Sequence, residues 1–291
     1  MSAVVITRSM QHQLRRFALV LGTNEIASAV SVYLQRDGWA VLLSHDPYPP
    51  VLRRKMAFHD ALYGIPVEVK GVPASRADNG SEVLKPLANA DRVTVTRLAP
   101  LDALGIRSVD VLIDARMQKY RVTPDLRRLA RLTIGLGPGF TTNANCDIAV
   151  ETRPSKNGAI LRRGRTDEAD GIASRLGNMG LERFVYSQVR GHWRTDIEIG
   201  AQMSKDSVLG HLDGVPVRAP LDGVLRGIVR DGTDVPEGIK LVEVDPRGPE
   251  AQWSGIDQRG RTIAIATLNA IRIHSAQQDT REAHFVPHAH R

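Results

Sequence analysis

The sequence predicts an α/β fold class: a Rossmann-like parallel sheet domain is followed by a mainly β domain. Two observations support this prediction. In the first half, short apolar runs typical of strands alternate with segments of helical periodicity, as in a parallel sheet with crossover helices. In the second half, glycine and aliphatic positions repeat after 32 residues without a helical period. A chain of 291 residues is long enough for one large or two medium domains.

The first half yields the predicted elements in order. An apolar run at residues 17–22 predicts a buried strand, and the apolar spacing over residues 24–36 predicts a helix with Asn24 at its cap. A helix over residues 51–63 is predicted to end at Gly64. The remaining predicted strands lie at residues 40–44, 93–96, 109–114 and 131–136.

The internal repeat defines the second half. A shift of 32 residues places Gly191 on Gly223 and Leu209 on Leu241, which predicts two copies of a small β unit that bury a face against each other. The predicted organisation is an N-terminal extension at residues 1–16, a Rossmann-like domain at 17–152, a β-rich domain at 153–272 and a flexible tail at 273–291.

Composition narrows the function classes. The net charge of +7 favours phosphate-bearing partners, but no nucleic-acid-binding motif accompanies it, so nucleic acid is not an expected partner. Cys146 is the only cysteine, which excludes an intrachain disulfide and an all-cysteine metal site and is typical of a core thiol. No metal site is expected from His284, His288 and His290. Without a membrane-spanning run or a leader pattern, we expect a cytoplasmic protein that has no membrane partner.

The turn GTNEIA at residues 22–27 is the first candidate binding site. It stands where a dinucleotide fold has its glycine-rich phosphate turn, but only Gly22 of those glycines is present and Asn24 occupies the second position. Two interpretations stay open: a plain capped helix start, or a nucleotide-type ligand held at the helix N-terminus with Asp46 on its ribose.

A second glycine-rich segment follows the last predicted strand of the first domain. Gly135, Gly137 and Gly139 alternate along it, and their N–H groups are expected to contact an anion. A tight turn between the two domains explains the same pattern.

Charged residues near the predicted sheet edge complete the candidate site. Arg53 and Arg54 form either a solvated basic helix face or an anion-binding pair, and Asp114 ends a central strand where open α/β sheets bind ligands. We therefore predict anion contacts from the glycines, charge neutralisation by the arginines and ligand orientation by Asp114. No acid–base pair or activated nucleophile identifies a catalytic residue, so the sequence does not decide whether the protein is an enzyme.

Three segments together carry a family resemblance. The sequences GLGPGF (135–140) with VET (150–152), PVRAPLDGVLRG (216–227), and DG (231–232) with DPRG (245–248) resemble the accessory proteins of the selenium-dependent molybdenum hydroxylase system. The second repeat copy, from residue 217, also resembles half of a biotinyl or lipoyl carrier domain, the barrel-sandwich hybrid. Such carriers hold a modified lysine at a hairpin tip, whereas Lys205 does not fit that position.

The resemblance implies a cytoplasmic maturation protein for a xanthine-dehydrogenase-like molybdenum hydroxylase. The hydroxylase is then the expected client protein, and a nucleotide or a molybdopterin-type, phosphate-bearing cofactor is the expected ligand class. Two alternatives stay open: a nucleotide- or pterin-dependent enzyme of redox or one-carbon metabolism, and a non-catalytic client-docking module. A homo-oligomer is compatible with the sequence.

Overall fold

The computed structural model describes residues 15–89, 91–119 and 121–283. Within these residues the protein is a mixed α/β structure with one nine-stranded sheet and two four-stranded sheets. The predicted α/β class and the change to β structure in the second half are confirmed at this level.

The nine-stranded sheet is largely parallel. Its order is β3-β4-β5-β2-β1-β6-β7-β8-β9, and the pairs β3–β4 and β8–β9 are antiparallel. The strands are β1 (Phe17–Leu21), β2 (Ala40–Ser44), β3 (Val67–Val69), β4 (Val72–Arg76), β5 (Val93–Thr96), β6 (Val111–Asp114), β7 (Leu132–Leu136), β8 (Ile148–Val150) and β9 (Ile160–Leu161). The helices are α1 (Glu25–Arg36), α2 (Gly80–Asn89), α3 (Pro100–Leu104) and α4 (Gln258–Ala283).

The central strands are continuous apolar runs because helices cover both faces of this sheet. In β1, Ala18 and Val20 belong to the core shared with α1 and α4. Phe17, Leu19 and Leu21 belong to the opposite core, which contains residues of α2 and α3. This alternation follows from the two-residue period of a strand.

Most predicted elements of the first half are confirmed: β1, α1, β2, β5, β6 and β7 lie at the predicted places, and Asn24 caps α1. The predicted helix over residues 51–63 is wrong, because two short 3-10 helices, Arg54–Met56 and His59–Tyr63, stand there instead. Ala57 between them is extended, and the Phe58 N–H binds Ser28 Oγ at 2.9 Å rather than a carbonyl four residues back. Because Ser28 belongs to α1, this contact with α1 takes the place of a hydrogen bond within the predicted helix.

The second half contains two interlocked copies of a four-stranded unit. The first copy is β10 (Phe184–Tyr186), β11 (Gly191–Arg194), β12 (Gln202–Met203) and β13 (Val208–Leu212). The second copy is β14 (Val215–Arg218), β15 (Gly223–Ile228), β16 (Thr233–Val235) and β17 (Lys240–Asp245). The two sheets have the orders β10-β17-β15-β12 and β14-β13-β11-β16. A shift of 32 residues maps each strand of one copy, and each pairing, onto the other, so each sheet takes two strands from each copy. We call these eight strands the β unit.

The predicted domain boundaries are wrong at two places. The boundary at 152/153 falls inside the large sheet, because β9 pairs with β8. The boundary at 272/273 falls inside α4, which returns to the large sheet and packs on α1. Residues 273–283 are helical rather than a flexible tail, and residues 1–14 and 284–291 lie outside the described residues.

The described helices include none that is long and apolar enough to cross a membrane.

Candidate functional site

The structure brings most of the predicted site residues to one edge of the large sheet. In the strand order, the chain moves from β1 to β2 on one side and later returns to β6 on the other, so the topological switch point lies between β1 and β6. Gly22 follows β1 and Asp114 ends β6, while Gly135 lies in the adjacent β7. Ligands of open α/β sheets bind in the crevice at the carboxyl ends of the strands at such a point.

The turn after β1 is filled by the protein's own groups. A Cβ on Gly22, whose φ is +105°, would lie 3.2 Å from the Ala115 carbonyl oxygen. Asn24 Oδ1 accepts hydrogen bonds from the N–H groups of Ile26 and Ala27 at 2.9 and 3.0 Å, and its Nδ2 donates to the Ala115 oxygen at 2.8 Å. Two N–H groups that a phosphate at this helix end would use are therefore occupied. This geometry favours the capped-helix interpretation of the turn.

Asp114 is buried and holds an arginine at the switch point. Its carboxylate accepts hydrogen bonds from Arg116 Nε at 3.0 Å and Nη2 at 2.6 Å. Burial would lower the pKa of Arg116, but the hydrogen bond and charge of Asp114 raise it. Asp46 lies 3.8 Å from the same guanidinium and accepts a hydrogen bond from Gln118 at 2.5 Å. Asp114 and Asp46 thus organise the loop after β6.

The three alternating glycines pack the end of β7 closely. Any side chain on Gly135 would overlap the ring of Phe140. The Gly137 N–H donates to the Val150 carbonyl at 3.1 Å, and the Gly139 carbonyl accepts from Asn145 Nδ2 at 2.8 Å. The tight-turn interpretation accounts for these contacts.

Arg54 binds the β unit and its own segment. Its Nη1 donates to Asp60 at 2.7 Å, and its Nε donates to the Ile228 carbonyl at 3.1 Å. The guanidinium is buried, so it is neither a solvated helix face nor exposed at the sheet edge.

Arg53 and Glu243 form the centre of a buried charge network between the large sheet and the β unit. Glu243 has no exposed surface and accepts hydrogen bonds from Arg53 at 2.7 and 3.1 Å and from Arg183 at 3.1 Å, with Arg226 at 3.6 Å. Arg53 also binds Glu25 at 2.9 Å. Burial alone would raise the pKa of Glu243, but the positive charge of Arg53 and the other arginines lowers it to about 2. We call Glu243 and its three arginines the Glu243 network.

A cluster that the sequence analysis missed lies at the ends of β1 and β2. The hydroxyl of Thr23 is 3.3 Å from Nδ1 of His45 and 3.0 Å from Nδ1 of His59. Burial, and then the neighbouring His45, lower the pKa of His59 to about 3, and burial also lowers the pKa of His45. Since the hydroxyl donates one hydrogen bond, it can donate to one imidazole and accept from the other. One sequence feature could have indicated this cluster: His45 directly follows a predicted strand.

Cys146 and the C-terminal histidines are the candidates for a nucleophile and for metal ligands, and the described residues favour neither role. Cys146 is fully buried, and burial raises the pKa of its thiol to about 12. The part of the chain described by the structure contains no group of three or more His, Cys, Asp or Glu residues arranged for a metal ion. His284, His288 and His290 lie outside the described residues. Two surface hollows, beside α2 and along residues 165–170, contain none of the predicted site residues.

Comparison with known proteins gives one informative relative. No family model matches the chain. The uncharacterized protein YqeB of Escherichia coli strain K12 is 27% identical over 274 residues, which cover 93% of this chain and 50% of YqeB. The chain therefore spans about half the length of this curated relative.

Similarity to solved structures is weak. The aspartoacylase family protein of Mesorhizobium loti aligns with a TM-score of 0.27 and 12% identity over 82% of this chain and 87% of that one. The product-bound ectoine utilization protein EutE (DoeB) of Ruegeria pomeroyi aligns with a TM-score of 0.22 and 13% identity, over 50% of this chain and 59% of that one. Scores this low support no inference about function.

Proposed function

We propose that this protein is an accessory factor that matures a molybdenum-containing, xanthine-dehydrogenase-like hydroxylase by binding a phosphate-bearing cofactor or the client enzyme. One observation carries the proposal: residues from all three segments with family resemblance lie along one series of contacts across the boundary between the large sheet and the β unit. These segments are separated in the sequence, so their proximity is a consequence of the fold.

The chain of contacts begins in the large sheet. Gly137 and Val150 belong to the first segment, and the Gly137 N–H donates to the Val150 carbonyl. Arg259 Nη2 donates to the Thr152 carbonyl of the same segment at 3.3 Å, and Asp257 stands two residues before Arg259 in the sequence.

The contacts continue in the β unit. Arg226, in the second segment, donates from Nη2 to Asp257 at 2.7 Å. Its Nη1 lies 3.7 Å from Asp245 of the third segment, and Asp245 accepts a hydrogen bond from Arg247 at 2.6 Å. Residues of all three segments therefore lie at this one boundary region.

The finer fold belongs to the same proposal: a Rossmann-like sheet domain joined to a barrel-sandwich hybrid. The two interlocked four-stranded sheets and their 32-residue correspondence support this architecture. The hairpin that joins the two copies turns at Asp213 and Gly214, both with positive φ, and carries no lysine. Since carriers of this kind hold their modified lysine at a hairpin tip, the β unit is a fixed binding module rather than a swinging arm.

Gene deletion in the natural host tests the maturation role. We expect molybdenum hydroxylase activity to fall at least about tenfold, while the amount of hydroxylase polypeptide stays constant, because a maturation factor acts on cofactor loading rather than on synthesis. Plasmid-borne protein should restore activity. Arg259→Gln should restore it less well than Arg261→Gln, since Arg261 is an exposed arginine on the same helix. Unchanged activity and molybdenum content in the deletion strain would contradict the proposal.

Titration with NAD(P), FAD and ATP separates this proposal from the enzyme alternative. The filled turn at Asn24 leads us to expect no saturable dinucleotide binding. Stoichiometric binding that Asn24→Ala weakens would favour a nucleotide-dependent enzyme instead.

A further inference from the structure

Two guanidinium groups contact one phenol ring at the boundary between the large sheet and the β unit. The guanidinium carbon of Arg230 lies 4.0 Å from the ring centroid of Tyr63, and that of Arg97 lies 5.1 Å from the same centroid. Arg97 directly follows β5 of the large sheet, whereas Arg230 comes shortly after β15 of the β unit. Tyr63 is 42% exposed and Arg97 is also exposed, so this position is open to solvent. We call Arg97 and Arg230 the arginine pair.

The arginine pair carries more positive charge than the adjacent carboxylates compensate. Arg230 lies 3.4 Å from Asp60, but Asp60 also accepts a hydrogen bond from Arg54 at 2.7 Å, so two guanidinium groups share one carboxylate. Arg97 forms no ion pair among the residues that the structure describes. Its backbone N–H, rather than its side chain, donates to Asp78 at 2.8 Å, and that carboxylate already pairs with another arginine. Such an excess of positive charge favours an external anion.

The imidazole of His45 adjoins the arginine pair. The His45 N–H donates to the Thr96 carbonyl at 2.9 Å, and β2 and β5 are parallel neighbours, so His45 and Arg97 stand side by side at the carboxyl ends of adjacent strands. The ring centroid of His45 lies 5.3 Å from that of His59, which lies 5.6 Å from that of Tyr63. These contacts join the histidines and the arginine pair into one cluster. The carboxyl ends of the strands are also where open α/β sheets bind ligands.

His45 is the histidine of this cluster that can take up a proton. His59 is buried, and burial lowers its pKa to about 3, which keeps its imidazole neutral. His45 is only half-buried; burial lowers its pKa, Asp46 opposes that change and Arg97 adds to it. An anion bound between His45 and Arg97 offsets the charge of Arg97 and so stabilises the imidazolium form. Since Nδ1 of His45 faces the hydroxyl of Thr23, Nε2 is the ring nitrogen left for a ligand.

We propose that Arg97, Arg230 and His45 bind the phosphate group of a small ligand, and that His45 takes up a proton from solvent when this anion binds. Phosphate oxygens accept charge-assisted hydrogen bonds from guanidinium and imidazolium groups. Thr23 then accepts a hydrogen bond from Nδ1 of His45 and donates its own to Nδ1 of His59, so the contacts within the cluster stay satisfied. The identity of the ligand as a cofactor in maturation rests on the proposed function, whereas the anion site itself does not.

Calorimetric titration of the full chain tests the site. The probes are inorganic phosphate and glycerol phosphate, a phosphate monoester, both at low ionic strength. We expect saturable one-to-one binding that Arg97→Gln and Arg230→Gln each weaken at least about tenfold, because each removes charge-assisted hydrogen bonds. Arg131→Gln is the matched control and should bind like the unmodified protein, since this 74% exposed side chain precedes β7 at the opposite end of the same sheet. Tighter binding of the ester would support an esterified phosphate as the ligand, whereas equal binding would support a site for the phosphate group alone.

The pH dependence of sulfate binding tests the role of His45. Between about pH 5 and about pH 8, where histidine titrates, sulfate keeps both of its negative charges, so a change in affinity reports on the protein. We expect the affinity to rise as the pH falls, by up to about tenfold per pH unit, because one proton binds together with the anion. His45→Gln should remove this pH dependence, whereas His211→Gln, at an exposed histidine, should retain it.

Three results would each overturn the inference: no saturable binding of either phosphate probe, an affinity that Arg97→Gln leaves unchanged, or sulfate binding that does not depend on pH. Anion binding in a protein whose deletion leaves hydroxylases active would overturn only the proposed function. A hydroxylase that needs the protein, together with no anion binding, would overturn only the anion site.

Discussion

The carboxylate of Glu243 shows how a single buried residue joins two parts of a chain. It is contacted by Arg53 from the segment after β2, by Arg183 before β10 and by Arg226 within β15. Each guanidinium is withdrawn from water, so its charge needs a nearby carboxylate. Glu243 therefore stabilises the fold by compensating the charge of three arginines at once, rather than through any single ion pair.

Substitution of Glu243 tests this role. Glu243→Gln keeps the shape but leaves three buried guanidinium groups around a neutral amide, and we expect it to reduce the free energy of unfolding by about 3–5 kcal/mol. Urea denaturation at neutral pH measures the change. Glu250→Gln, at an exposed glutamate, should stay within about 0.5 kcal/mol of the unmodified protein. Equal effects of the two substitutions would contradict the role of Glu243.

Because His59 is buried, we expect the free energy of unfolding to fall as the pH falls. Its pKa in the folded protein is about 3, below the ordinary value of 6.5, so the unfolded chain binds the proton first as pH falls. Stability is therefore retained above about pH 6.5 and lost toward pH 3, by up to about 1.4 kcal/mol per pH unit from this group. Glu243 titrates below its ordinary value of 4.5 and does not account for a loss between about pH 6.5 and 5.

Unfolding free energies at about pH 7 and about pH 5 check this prediction. His59→Asn, which can still bond Thr23, should show a smaller loss between the two pH values than the unmodified protein. His211→Asn, at an exposed histidine, should lose as much stability as the unmodified protein. A pH dependence that His59→Asn does not change would assign the acid sensitivity to other groups.

At the scale of elements, α4 completes a layer that begins about 230 residues earlier in the chain. Ile263, Ala264 and Ile271 belong to the same core as Ile26 and Val30 of α1. Periodicity alone indicated no apolar stripe after residue 272, yet the helix continues to Ala283 because its first half is fixed by α1. A helix held along part of its length extends more readily than one that must nucleate alone.

Two isoleucines on α4 test the packing of this helix. Ile263 is fully buried, whereas Ile265, two residues later, is 42% exposed. We expect Ile263→Ala to lower the free energy of unfolding by about 2–4 kcal/mol and Ile265→Ala by less than about 1 kcal/mol, because only the first leaves a cavity. Urea denaturation measures both. A similar cost at the two positions would mean that α4 does not pack on α1 in this orientation.

At the scale of the whole molecule, the large sheet and the β unit share too many buried contacts to behave independently. The Leu52 carbonyl accepts a hydrogen bond from the Ile228 N–H at 3.0 Å, so the segment before Arg53 adds to the edge of β15. The Glu243 network and the contacts of Arg54 lie beside it. Breaking this boundary would expose several charges that are paired only across it.

Cooperative unfolding is the corresponding prediction. Trp39 belongs to the core of the large sheet and Trp193 to the core of the β unit. In variants in which Trp253 and one of these two tryptophans are replaced by phenylalanine, we expect the fluorescence midpoint in urea to coincide with the far-UV circular dichroism midpoint, as in a two-state transition. The comparison is made within each variant, so a loss of overall stability does not affect it. Separate midpoints would show that the two parts unfold independently.

The sequence by itself determined the local elements and the repeat. Apolar runs identified the central strands because strands buried on both faces consist mostly of apolar residues. Asn24 identified the start of α1 because a side-chain cap is a local interaction. The 32-residue correspondence identified the two copies of the β unit, because equivalent strands need equivalent apolar positions.

Only the tertiary structure decided which groups are free to bind a ligand. The sequence predicted Arg53 and Arg54 to form a solvated basic helix face or an anion-binding pair, but their partners Glu243 and Ile228 lie more than 170 residues away along the chain. The cluster of Thr23, His45 and His59 depends in the same way on elements that meet only in the folded chain. Helix caps and strand periods depend on residues that are close in the sequence. Charge compensation depends on distances in space, which no local sequence pattern determines.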